Sequence, residues 1–121
     1  MVRATWEQFT HGFTAHDLAL VAAFRDACRA LPETEMRVSR TEVRFARERT
    51  FAVAFIAAHR LELAIDLLRE ASHPLLLQAF PTTKKVVTHR LSLERLDQFD
   101  DSITSLLTEA WETVGPGTRA S

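Results

Sequence analysis

Apolar residues along this chain follow two periods. From Trp6 to Leu31, and again from Phe99 to Val114, they recur every three or four positions, whereas between Thr34 and Leu91 short runs recur every second position. The first spacing stacks side chains on one face of a helix, and the second alternates them across a strand. Trp6, Phe9 and Phe13 predict a short helical segment that stops near Gly12, and Thr14 with Asp17 three residues on is a capping signal for a second helix. That helix, over about 14–31, places Leu20, Val21, Phe24, Ala27, Cys28 and Leu31 on one core-facing side, and Pro32 ends it.

Met36 and Val38 alternate with Arg37 and Ser39, and Val43 and Phe45 alternate with Glu42 and Arg44, as half-buried strands do. In the next run Phe51, Val53 and Phe55 alternate with Ala52, Ala54 and Ile56, so a third strand is apolar on both faces and is expected at the sheet centre. Leu61, Leu63, Ile65 and Leu67 alternate with Glu62, Ala64 and Asp66 in a fourth. The links around Arg40, Glu48 with Arg49, and Ala58 with His59 are too short for a crossover helix, so these strands must form successive antiparallel hairpins.

Residues 71–83, with Pro74 and Pro81 around Leu75, Leu76, Leu77 and Phe80, keep neither period and are expected to form a loop with one helical turn. Residues 86–91 give a fifth strand. Asp97 is placed to cap a last helix over about 98–114, with Phe99, Ile103, Leu106, Leu107, Ala110 and Val114 in one stripe. The expected fold is α+β, with an antiparallel meander sheet of about five strands and helices packed mainly on one face. A single domain over 1–114, followed by a flexible tail over 115–121, fits the length and the composition.

If Met36, Val38, Val43, Phe45, Phe51, Val53, Phe55 and the alternate leucines of the fourth strand face the helices, the other face carries Arg37, Glu42, Arg44, Glu62 and Asp66 around a floor of Ala52, Ala54 and Ala64. Such a floor invites cover from a ligand, a second copy of the chain, or the 75–80 segment folding back.

Charge narrows the function classes. The 15 basic and 16 acidic residues leave a formal net charge of −1, so no global field recruits nucleic acid or membrane, and any electrostatic role must be local. The sole cysteine, Cys28, has no partner for an internal disulfide. The N-terminus lacks an apolar run of signal-peptide length and no segment approaches a membrane span, which leads to an expected cytoplasmic location without a membrane partner. G-x-S-x-G, H-E-x-x-H, C-x-x-C and glycine-rich phosphate loops do not occur. His11, His16, His59, His73 and His89 lie on different elements with no i, i+4 pair, so neither a metal site nor a cofactor is expected.

Two segments carry a family resemblance. RVSRTEVRFARERTFAVAFIAAHRLELAIDL resembles the basic strand, F-x-x-x-x-x-F-A hairpin and leucine-alternating strand of domain-of-unknown-function family 5655, and VVTHRLSLERLDQFDDSITSLLTEAW resembles its closing strand, acidic helix start and terminal L-x-x-A-Y helix. Together they span about Trp6 to Trp111. Arg40 stands where the family commonly has lysine, and Ala110–Trp111 where it has Ala-Tyr, which keeps the charge and the aromatic bulk. The family has no established activity, and its members look like domains appended to larger proteins, some with nuclease-like modules. The resemblance therefore implies recognition rather than chemistry.

Basic residues supply the candidate site. Arg40, Arg47 and Arg49 cluster around the first two hairpin links, and Lys84, Lys85, His89 and Arg90 at the start of the fifth strand. Arginine forks suit carboxylates and phosphates; charges at sheet edges also block aggregation, which is the competing role for the same residues. The expected function is a non-catalytic binding or interaction module that contacts an anionic ligand or nucleic acid through this patch and forms a homodimer. The alternative is a small enzyme acting on an anionic substrate, with His89 as acid or base and the arginines as clamp.

Overall fold

A computed structural model describes residues 3–117. Helix α1 (Trp6–Phe9) and helix α2 (Ala15–Arg29) are followed by strands β1 (Glu35–Val38), β2 (Val43–Ala46), β3 (Thr50–Ala57), β4 (Arg60–Leu67), β5 (Leu76–Pro81) and β6 (Val87–Leu93), then helix α3 (Asp101–Thr113). All six strands pair antiparallel in the order β1-β2-β3-β4-β6-β5. The Thr14 cap forms as the spacing predicts, with reciprocal bonds between Thr14 and Asp17. Both long helices pack on β3, on β4 and on each other, so they share one sheet face. No helix among the described residues is long and apolar enough to cross a membrane.

The fold is the expected α+β architecture, with one strand more than the periodicity predicts. Residues 76–81 are a strand, β5, rather than loop. It has a partner only on the β6 side, and its register shifts between Leu76 and Gln78, so the apolar alternation is lost. Thr82 donates its N–H to the Val86 carbonyl at 2.8 Å, so by ladder alternation Pro81 faces away from β6, where its missing N–H costs nothing. The chain therefore departs from a simple meander after β4. Residues 68–75 return along the helix side, held to α3 by the two-pronged Arg69–Glu109 pair at 2.8 Å and by His73 to Ser102 at 2.7 Å. β6 then inserts between β4 and β5.

The face assignment of β3 is the reverse of the strict alternation read from sequence. Ala52 and Ala54 pair with Ile65 and Leu63, so the alanines share the helix-covered face with Val43, Phe45 and the β4 leucines, whereas Val53 and Phe55 pair with Ala64 and Glu62 on the other face. A bulge at Phe45/Ala46 puts Thr50 opposite Ala46 and Ala52 opposite Phe45, leaving Phe51 as the extra residue. Large helix residues explain the alanines beneath them: Phe24 of α2 is fully buried and meets Phe45 edge-on at 5.6 Å. Small β3 residues make room for that ring. Only Ala64 of the expected alanine floor lies on the helix-free face.

Both ends of α3 also differ from expectation. Asp97 lies in a 3-10 turn (Leu96–Gln98), and Asp100 is the N-cap, accepting from the Ser102 N–H at 3.0 Å. At the other end Gly115 is buried, and its carbonyl accepts from the N–H groups of Glu48 and Arg49 at 2.8 and 3.0 Å. A Cβ at Gly115 would collide with the Trp111 carbonyl oxygen. The flexible tail expected over 115–121 therefore cannot begin at Gly115; residues 118–121 lie outside the described residues.

Candidate functional site

Strand register decides which of the basic residues can act together. β4 ends at Leu67 opposite the start of β6, beside the start of β3, so the β2–β3 turn with Arg47 and Arg49 and the β5–β6 turn with Lys84 and Lys85 lie at one end of the sheet. They are three strand spacings apart, roughly 14 Å. Arg40, in the β1–β2 turn, lies at the opposite end, beside Glu7, Gln8 and His11 of the α1 region. Arg47 is occupied on the helix side, with its guanidinium 4.4 Å from the centre of the Trp111 ring and 3.8 Å from Glu33. The charge of Arg49 favours the ionised form of the Asp66 carboxylate.

His89 is not part of a surface patch. It is 2% exposed, on the helix-side face opposite Ile65. Its Nε2 accepts the Ala71 N–H at 2.8 Å, which fixes the neutral tautomer with the proton on Nδ1, directed at the Val87 and Ile65 carbonyls at 3.1 and 3.3 Å. Both ring nitrogens are thus engaged in holding the 68–75 connection to the sheet. The arrangement leaves no imidazole nitrogen for a substrate.

Lys84, Lys85 and Arg90 remain as exposed cations, and none of the three forms an ion pair among the described residues. The segment that carries them contains no Asp or Glu between Glu70 and Glu94. Arg90 lies on the helix-free face in a cross-strand row with Arg37, Arg44, Val53, Ala64 and Gln78. Unlike Arg90, Arg37 and Arg44 are neutralised locally, Arg37 by Glu35 at 3.2 Å and Arg44 by a short bond to Glu42.

Carboxylates interrupt this face on either side of Ala64. Glu62 accepts a short bond from the Ser92 hydroxyl, which itself accepts from Arg60 Nε at 2.7 Å. Asp66 accepts from the Thr88 hydroxyl at 2.7 Å, and Thr88 in turn bonds to Thr82. Burial pushes the Asp66 carboxyl above its ordinary range, against the opposing pull of the Thr88 hydrogen bond and the Arg49 charge. Local positive potential is consequently concentrated on the β5–β6 hairpin.

Two side-chain clusters are assembled by the fold without any signal in sequence spacing. His73, Ser102 and Asp100 have the composition of a hydrolase triad. Their wiring runs the wrong way: His73 Nδ1 accepts the Leu75 N–H at 3.0 Å, so Nε2 donates to Ser102, and the Ser102 hydroxyl donates to Asp100 in a bond of 2.5 Å. The imidazole has no lone pair facing the serine proton, and the cluster acts as a helix cap. In the second cluster Asp17, 3% exposed, accepts from His59 Nδ1 at 3.0 and 3.1 Å, and His16 Nε2 lies 3.1 Å from the His59 carbonyl. Burial by itself raises the Asp17 carboxyl, but hydrogen bonds from Thr14 and His59 with the His59 charge hold it below its ordinary value. These contacts fasten the left-handed β3–β4 turn, with Ala58 and His59 at φ of 50° and 60°, to the start of α2. No group of three or more His, Cys, Asp or Glu among the described residues is placed to hold a metal ion.

No curated protein and no solved structure matches this chain. The family described as Domain of unknown function (DUF5655) matches residues 8–114, from α1 through the end of α3. With nearly the whole described fold inside that match, the chain belongs to the DUF5655 family.

Proposed function

We propose that this protein is a non-catalytic binding module that holds an anionic ligand, nucleic acid foremost, on the β5–β6 hairpin. The observation that carries this reading is the acid-free segment with Lys84, Lys85 and Arg90 exposed and without ion pairs among the described residues. Unneutralised cations on a near-neutral protein give a local field that attracts phosphate, and each contact releases counterions from a nucleic acid. His89, the imidazole nearest these cations in sequence, has both ring nitrogens bonded within the protein, which supports binding over turnover. We further propose that the module works in the cytoplasm, where a buried thiol such as Cys28 is at home, and that a second copy of the chain does not dock on Ala52 and Ala54, because the helices cover them.

The test is fluorescence anisotropy with labelled single-stranded and duplex oligonucleotides across a salt series. Binding should weaken steeply with salt, and a Lys84→Ala, Lys85→Ala, Arg90→Ala triple variant should reduce the slope of log K against log salt by about two to three, at about 0.7 to 0.9 per contact. Arg40→Ala, at the opposite end of the sheet, should leave binding unchanged. Equal binding by the triple variant would sink the proposal and leave the lysines as edge protection.

A further inference from the structure

The outer edge of β1 carries a partly filled strand position with a preformed cavity beside it. Ser39 donates its N–H to the Glu42 carbonyl at 2.9 Å, within the hairpin, whereas the Val38 carbonyl accepts the Ala4 N–H at 3.0 Å from outside it. By the alternation of an antiparallel ladder, Met36 also directs its N–H and carbonyl outward. Among the described residues these Met36 groups have no main-chain partner. Next to them lies a cavity of about 420 Å³ walled by Trp6, Met36 and Val38 and rimmed by Arg3, Glu35 and Arg37.

The walls are fixed before any ligand arrives. Arg25 stacks 4.6 Å from the centre of the Trp6 ring, and Phe9 meets the same ring edge-on at 5.7 Å. The rim has two guanidiniums to one carboxylate, and Glu35 is already bonded to Arg37 at 3.2 Å. A carboxylate from elsewhere would find net positive charge there.

We propose that this groove binds the free C-terminal end of an extended partner peptide, added as a strand against Met36, with its apolar last side chain between Trp6 and Val38 and its carboxylate against Arg3 and Arg37. Main-chain pairing supplies affinity in such strand addition, and the pocket supplies selectivity. Ala4 already holds the position beside Val38, so an added strand must stop there, which favours a chain end over a segment passing through. The same blockage disfavours a second copy of β1: paired antiparallel about Met36, it would place its own Thr34 where Ala4 sits. Glu35 faces the rim as well, and it disfavours a polyphosphate.

The experiment uses the full chain and a fluorescein-labelled hexapeptide of alternating threonine and valine that ends in valine, as the free acid, as the C-terminal amide, and with backbone N-methylation at alternate residues. The free acid should bind in anisotropy titrations, the amide about tenfold more weakly, and Arg3→Ala should lower the free acid to the level of the amide while leaving the amide unchanged. In amide-resolved NMR the Met36 N–H should shift with the free acid and not with the methylated peptide. Equal affinity of acid and amide, or a Met36 amide unmoved at saturation, would overturn the proposal. So would a stable dimer in sedimentation that the peptide neither enters nor dissociates. Because Arg3 is exposed and outside every element, unchanged circular dichroism of Arg3→Ala separates loss of binding from loss of fold.

Discussion

Ala54→Leu tests which face of β3 the helices cover. Ala54 is fully buried, pairs with Val43 on one side and Leu63 on the other, and lies on the face where α2 and α3 both rest on β3. Three added carbons have no void to enter in a close-packed core, so helix or strand must move, at a cost of about 1–3 kcal/mol. With a urea m-value of about 1.5 kcal/mol/M, the unfolding midpoint should fall by roughly 1–2 M. Ala64→Leu is the companion: Ala64 is half-buried between Val53 and Arg90 on the helix-free face, and the change should stay within about 0.5 kcal/mol. Strict alternation with Phe51, Val53 and Phe55 toward the helices demands a harmless Ala54→Leu. A midpoint unchanged by Ala54→Leu and lowered by Ala64→Leu would refute the paired register.

Two further substitutions separate structural from functional roles. His89→Ala should cost about 1–3 kcal/mol by leaving the buried Ala71 N–H without an acceptor, yet leave oligonucleotide binding intact once the protein is folded; binding lost in a fully folded variant would return His89 to the site. Because Asp17 is held below its ordinary value in the fold, its contribution is present above the unfolded carboxylate pKa of about 3.9 and is lost as pH falls through the lower folded value. Asp17→Asn should therefore flatten the stability curve below about pH 4, read by urea unfolding at successive pH values, and an unaltered curve would exclude Asp17 as the acid-sensitive group.

The periodic parts of the fold were legible because each buries a continuous stripe. β4 alternates without a fault, and Leu61, Leu63, Ile65 and Leu67 are all buried as the pattern requires. Thr14 with Asp17 sets the start of α2 through a local bond that spacing alone reveals. β5 was hidden because an edge strand with a register shift and an outward proline has little need of alternation. The β3 faces were hidden by the bulge: one extra residue exchanges the faces, and both sets of side chains are apolar, so composition offers no correction. Of the basic residues, Lys84 and Lys85 lie exposed in the β5–β6 turn, where polar turn composition is legible in sequence. His89 looked like its neighbour Arg90, but adjacent strand residues face opposite ways, and its role depends on Ala71, a contact no spacing encodes.

The two sheet edges use similar charges for different ends. At β5, the shifted register, Pro81 and the turn lysines discourage a further strand, which suits the proposed anion surface. At β1 the outward main-chain groups of Met36 have no main-chain partner among the described residues, and the nearby arginines sit beside an apolar cavity rather than at a turn. Glu62 and Asp66 lie between the two, on the strand at the middle of the helix-free face. A polyanion laid across the whole sheet would have to pass both carboxylates, one of which is already short of hydration and resists further approach of negative charge. The proposed anion surface and the proposed peptide groove thus lie at opposite edges of the sheet, and a ligand for one should bind without displacing a ligand for the other.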